Sequence, residues 1–312
     1  MSQRGKPHLL IHSKEPKAKR AKGVLPDLPP SIHKLINEAM AIEAEQAQEA
    51  GALGFMCRSM VQASLPSKKV EGAEFVRRNG KFTLSLLAPS RIGLPYGTIP
   101  RLLLVWLATE AVRTQERELL LGDSLSGFMR ELGLTATGGR WGSIPRLKEQ
   151  TKRLFACSIT GIYEDGDQTA LLSQKIADQA HLWWDTKSPD QAGLWQSSVR
   201  LSEQFFKEVT EHPVPIDLRA IHALKRSPLA LDIYAWLTYR SAYATRSSVI
   251  PWEALAAQFG SDYGRLRDFK EAFLGELRKV QVVYPDAKLD LVTGGLLVHP
   301  APTHIKPISG RR

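Results

Sequence analysis

An α+β fold in two similar halves is what this 312-residue sequence predicts, and three observations predict it. A stretch from Ser124 to Ile159 reads as a short helix, a turn rich in Gly and Thr (Gly133 to Gly142) and a longer helix beginning near Ser143. Just after it, the hydrophobic spacing changes from about 100° per residue to strict alternation, the signature of strands. The same landmarks then return at one offset, Trp236 following Trp106 and Leu255 following Leu125 by 130 residues, which suggests a duplicated module.

The composition supports two compact domains. At 43% hydrophobic the chain can bury real cores, and no apolar run reaches the ~18 residues of a membrane span. Leu9-Leu10-Ile11 is too short for a signal-peptide core, so a cytoplasmic protein is expected. Cys57 and Cys157, 100 residues apart, suit neither a zinc site nor a disulfide framework and read as buried thiols. The net charge of +10 is uneven: residues 1 to 30 hold seven Lys/Arg against Glu15 and Asp27, and Lys306, Arg311 and Arg312 close the chain. The body between is nearly neutral, so any basic face there is local.

Taken in order, residues 1–30 lack periodicity and read as a disordered basic arm for phosphate contact, against the plainer reading of a solubilising tail. Residues 31–50 form a helix with Ser31 as N-cap, ending at Gly51. Leu53 to Leu65 reads as a short helix or a strand. Phe75 to Leu84 is a hairpin with an Asn-Gly turn, and Arg77, Arg78 and Lys81 at its tip are solvated or meet phosphate. After the turn Gly93–Arg101 comes an apolar helix, Leu102 to Val112, then a strand at Leu119–Gly122.

In the central stretch, Leu125, Phe128, Met129 and Leu132 share one face of the first helix. Ile144, Leu147, Thr151, Leu154 and Phe155 share one side of the second, with Arg146, Glu149, Lys152 and Arg153 opposite and Lys148 at the border. Ser143 is its expected N-cap and Pro145 sits in its first turn. Ser158 to Tyr163, the turn Glu164–Asp167 and Thr169 to Leu172 make a hairpin with an Asp-Gly signal. A helix-turn-helix followed by a hairpin is a winged helix, whose second helix lies in the DNA major groove. The alternative is an ordinary amphipathic helix with a solvated charged face. Trp183, Trp184 and Trp195 fall in a long segment after this wing, where packing is favoured over base stacking.

From Pro213 the plan repeats. Pro215-Ile216-Asp217 opens a short helix and Ser227 to Ala242 forms a long one; Val249-Ile250-Pro251 is the strand and Trp252 to Phe259 the first short helix. Gly260 to Gly264 is the turn, Arg265 to Val280 the second helix, and residues 282–298 another wing. Tyr234, Tyr239 and Tyr243 on one helix read as packing. The expected organisation is a basic arm at 1–30, a helix and hairpin at 31–92, winged-helix domain 1 at 93–210, winged-helix domain 2 at 211–300 and a basic tail at 301–312. The candidate DNA-binding residues are Arg140, Trp141, Ser143, Arg146, Lys148, Lys152 and Arg153 in the first module, and Arg265, Arg267 and Lys270 in the second.

The segments GFMCRSMVQASLP (54 to 66), NGKFTLSLLAP (79 to 89), GLPYGTIPRLLLVWLATEAVRT (93 to 114), LLLGDSLSGFMRELGL (119 to 134), GGRWGSIPRLKEQTKRLFA (138 to 156) and SPLALDIYAWLTYR (227 to 240) resemble, in order and spacing, the RepA-type plasmid replication initiators. The resemblance implies sequence-specific binding to repeated origin DNA (iterons) and opening of neighbouring AT-rich DNA. It also implies contact with a host helicase and host initiator, and self-association in which a dimer represses its own promoter. No nucleotide-binding loop, HExxH, GxSxG or histidine pair at metal spacing occurs, so no enzyme, cofactor or metal is expected. A nicking enzyme would need a nucleophilic Tyr beside clustered histidines, and the eight histidines are scattered. A winged-helix transcriptional regulator with no replication role is the runner-up, and a structural adaptor with an incidental basic face the third reading.

Overall fold

The computed structural model describes residues 30–182, 189–190, 197–260 and 263–306. Residues 1–29 of the basic arm, residues 307–312 of the C-terminal tail, and Trp183, Trp184 and Trp195 lie outside these.

Helix α1 (Pro30–Ala44) opens one residue before Ser31, so Ser31 is inside the helix rather than capping it. The segment that read as helix or strand is both in turn, β1 (Leu53–Met56) and α2 (Arg58–Gln62). Strands β2 (Glu74–Asn79) and β3 (Phe82–Leu87) form the expected hairpin, its two-residue loop shifted to Gly80-Lys81 with Gly80 at φ +58°. Helix α3 (Thr98–Thr114) buries Leu102 to Ala108 without a break, as expected of a helix covered on all sides. After β4 (Glu118–Leu120) comes α4 (Leu125–Glu131), whose N-cap Ser124 accepts from the Gly127 N–H, and then α5 (Ser143–Ala156). Strands β5 (Ser158–Asp165), β6 (Gln168–Lys175), β7 (Ala177–His181) and β8 (Ser198–Leu201) follow, then α6 (Glu203–Glu211).

The second half opens with β9 (Val214–Asp217); these residues form a strand, not the expected helix start, and Asp217 instead caps α7 (Leu218–Leu224). Helix α8 (Pro228–Tyr243) is capped by Ser227 with Pro228 in its first turn. Strand β10 (Ser248–Pro251), α9 (Trp252–Phe259), α10 (Leu266–Val283), β11 (Leu289–Val292) and β12 (Gly295–Val298) complete it. Val282 and Val283 belong to α10, so this wing is β11 and β12 alone. Trp106 meets Phe128 of α4 edge-on at 5.0 Å, and Trp236 meets Phe259 of α9 edge-on at 5.7 Å. The two landmark tryptophans thus do the same packing work.

The second half has the winged-helix strand order β10-β12-β11, all antiparallel. In the first half the equivalent sheet is β4-β8-β7, so its wing is β7–β8 and not the hairpin at 158–172. That hairpin exists as β5–β6, but it pairs with β3 to give the sheet β2-β3-β5-β6. Local turn chemistry sets the hairpin; what fixes its partner is burial of Ile159 beside Leu84 and Leu86, 73 or more residues earlier in the chain.

The halves are joined in three ways. Strand β1, ahead of the first half, pairs with β9, the opening of the second, from Leu53↔Asp217 to Met56↔Val214. Arg101 of α3, 1% exposed, donates from Nε and Nη2 to the two carboxylate oxygens of Asp232 in α8, both at 2.7 Å, and to the carbonyls of Leu65, Pro66 and Gly97. Arg219 pairs with Asp217 and donates to the carbonyls of Ala41 and Glu45 at the end of α1, strapping that helix down. Cys57 and Cys157 are free and fully buried, and burial pushes the Cys157 thiol up to about 12.

Candidate nucleic-acid interface

The α4–α5 turn is held by its own polar groups. Ser143 N–H donates to Thr137 Oγ1 at 2.9 Å, Thr137 N–H donates to Ser143 Oγ at 2.9 Å, and Ser143 Oγ donates to the Thr135 carbonyl at 2.5 Å. Gly142 lies so close beneath the turn that a Cβ there would come within 2.2 Å of the Thr137 carbonyl oxygen. Ser143, expected as N-cap and DNA contact, is not the N-cap, and its side chain is turned into the protein. It is the first residue of α5, it is buried, and its hydroxyl is engaged inside the protein; Gly142 is the N-cap. The closed turn pushes its tip outward, leaving Arg140 exposed and Trp141 82% exposed, with the Arg140 guanidinium 5.1 Å from the indole centroid.

Along α5, Ile144, Leu147, Thr151 and Leu154 are buried as the period requires, and Gln150 joins them, its Oε1 accepting from the Tyr96 N–H at 2.9 Å. Arg146, Lys148 and Lys152 are exposed. Arg146 Nε reaches only the Gly142 carbonyl, and no ion pair holds any of the three among the described residues. Arg153 departs from expectation. Its side chain is 12% exposed; Nε and Nη2 pair with Glu149, Nη1 donates to the Leu94 carbonyl at 3.0 Å, and the guanidinium lies 5.3 Å from the Tyr96 ring centre. It clamps the segment leading into α3 and does not join the open face. Its pairing with Glu149 also removes the one carboxylate that would oppose the cations there. The face that remains is Arg140, Trp141, Arg146, Lys148 and Lys152.

In the second half, Arg265, Arg267 and Lys270 are exposed at the start of α10. Arg265 makes a two-pronged pair with Asp268, Arg267 lies 3.7 Å from the same carboxylate, and Lys270 sits 4.9 Å from the Trp252 ring centre. The cations are where the sequence places them, but each already has a partner. At the N-terminal hairpin the structure likewise divides three expected cations: Arg78 is exposed, Lys81 pairs with Asp165, and Arg77 is buried against Phe75. Tyr234 packs as expected with 0% exposure, whereas Tyr243 is 71% exposed.

Among the described residues no group of His, Cys, Asp and Glu is arranged to hold a metal ion, and no helix is long and apolar enough to cross a membrane. Residues 94–254 match the family model described as "Plasmid encoded RepA protein". The fold is similar to the crystal structure of domains 2 and 3 of RctB, at 9% identity and a TM-score of 0.50, over 78% of this chain and 98% of that one. No curated protein sequence matches the chain.

Proposed function

We propose, from the premise that this chain belongs to the family of plasmid-encoded RepA proteins, that it is a replication initiator which binds repeated origin DNA in a sequence-specific way. One observation carries the reading: the open cationic face of α5, Arg146, Lys148 and Lys152, beside the exposed Arg140–Trp141 pair at the helix start. The N-terminal part of a recognition helix is the part that meets base edges, and arginine to guanine is the commonest specific contact. Arg146 is one turn into the helix, where a bidentate contact is reachable; Lys148 and Lys152 suit phosphate. Helix α10 adds a second, weaker contact through Arg265, Arg267 and Lys270.

The rest of the proposal follows from family membership. Several protomers on adjacent repeats bend the duplex, at a cost of about 1–6 kcal/mol offset by the added contacts, and this opens neighbouring AT-rich DNA. Host helicase and host initiator are then recruited, and a dimer represses the protein's own promoter. The test is a footprint of the purified protein on the origin-proximal DNA of its own replicon, at two salt concentrations. Protection of several direct repeats that survives the higher salt is expected. A single protected palindrome would indicate a transcriptional regulator instead, and smeared protection lost with salt would leave only a basic protein.

A further inference from the structure

We propose that the pocket between α8, α9, β2 and the turn from α8 to β10 binds a nucleotide unit, its base against Tyr239 and Tyr243 and its phosphate on Arg240 and Arg246. The cavity is about 430 Å³ and lies apart from the α5 face.

Arg240 is the anchor. Its Nη2 donates to Ser248 Oγ at 2.6 Å, its guanidinium lies 5.7 Å from the Trp236 ring centre, and its Nε is buried with no partner. No carboxylate pairs with it among the described residues, and burial alone pulls its pKa down. A guanidinium cannot escape this by losing its proton, so its uncompensated charge at the pocket wall favours an anion there. Arg246 lines the same pocket, exposed and without an ion pair among the described residues.

The walls add the second half of the chemistry. The Tyr239 and Tyr243 rings are 5.0 Å apart, Tyr243 is 71% exposed, and Arg58 stands 5.8 Å from the Tyr239 ring centre. The floor is fixed in advance: Asn79 Nδ2 donates to the Gln62 carbonyl at 2.7 Å and Gln258 Nε2 to the Val61 carbonyl at 3.2 Å. A carboxylate would answer the arginines but leave the rings bare, and an apolar group would do the reverse. A phosphate carrying a planar base answers both, and base–aromatic stacking tolerates any base. That chemistry comes either as a free nucleotide or as one unit of a single strand.

The test uses the full chain and the anisotropy of a labelled thymidine oligomer of about eight nucleotides, with thymidine monophosphate, inorganic phosphate and an acidic peptide as competitors. Origin duplex binding is followed in parallel, so that failure of this site and failure of the α5 reading are distinguishable. Tyr243→Ala and Arg246→Ala, both at exposed positions, are expected to weaken oligomer binding about tenfold while duplex affinity and Tm stay unchanged. Competition by thymidine monophosphate that the same variants weaken assigns a free nucleotide; capture of the oligomer alone assigns a single strand. Unchanged oligomer and nucleotide binding in both variants overturns the proposal, as does displacement by inorganic phosphate or acidic peptide as effective as by the monophosphate.

Discussion

The two halves share one plan and differ where they face outward. Helices α3 and α8, α4 and α9, and the two edge-on Trp–Phe contacts correspond, because each half must cover a helix-turn-helix with one long apolar helix. Helices α3 and α8 and strands β4 and β10 start 130 residues apart, but α9 opens earlier relative to α4, and the α9–α10 turn shortens the offset further, being shorter than the α4–α5 turn. In the first half the recognition-helix cations stand open, Glu149 being taken up by Arg153; in the second, Asp268 sits between Arg265 and Arg267. The wing diverges as well: the second closes with a tight turn at Gly294, whereas the first is joined to α5 through the inserted β5–β6 hairpin. Packing rules fix a module's interior, while its outer charges are free to differ.

The comparison is broken most severely at the link between halves. Arg101→Leu leaves the Asp232 carboxylate buried alone and should cost about 3–5 kcal/mol, read as a lower Tm, with much of the loss returned when Asp232→Leu is added. A double variant as unstable as the single one would count against this account of the pair. Next comes the contact difference itself. Arg146→Ala should weaken origin binding by about 1–3 kcal/mol and relax specificity at one position, whereas Arg265→Ala, taken from an existing surface pair, should cost about 1 kcal/mol or less. Equal losses in a titration of both variants would erase the distinction between α5 and α10.

Acid should loosen the contact of α7 with the end of α4 and the packing of the C-terminal segment on α8. His222 lies against Gly133 at the end of α4, and His304 bonds Tyr234 of α8; burial lowers the pKa of both below the ordinary value. The unfolded chain then takes up protons that the folded chain refuses. Stability is therefore full above about pH 6.5 and declines as pH falls from there toward the folded pKa values. Urea unfolding at pH 7.5 and 5.5 reads this, and a flat profile in His304→Gln with His222→Gln assigns it. Smallest is the salt response: Lys148→Ala should lower the slope of log K against log salt by about one, equally for all sequences. Asp268→Asn should steepen it by freeing Arg265 and Arg267; an unchanged slope would show that the surface pair never masked them.

Both helix-turn-helix units were legible in the sequence because their signals are local: a 3.6-residue stripe, a Pro in the first turn of α8, Gly-rich turns. The wing of the second half was legible in place, within residues 282–298, but not in detail: Val282 and Val283 continue α10, and the hairpin is β11 and β12. Strand partnership in the first half was not legible, because β5 joins β3 and β4 joins β8 across roughly 70 to 80 residues and no local pattern names the partner. The exposure of Arg146, Lys148 and Lys152 on α5 was legible, because period alone decides it. The inward turn of Ser143 and Arg153 was not, since a side chain that curls back to Thr135 or reaches to Leu94 follows contacts outside its own helix. The setting of Arg240 is illegible for the same reason: that no carboxylate among the described residues pairs with it becomes visible only once α8, β2 and α9 are brought together.

The pairing of β1 with β9 has a consequence for the spacing of the target. A strand that precedes the first half completes a ladder with the strand that opens the second, and the Arg101–Asp232 pair locks α3 to α8 beside it. The angle between α5 and α10 is then a property of the folded chain rather than of the DNA. If both helices meet DNA as proposed, the protein is a rigid caliper: inserting about five base pairs, half of the 10–10.5 in a helical turn, between the two segments should turn the second to the far side of the duplex. Inserting a full turn should bring it back into phase but out of reach.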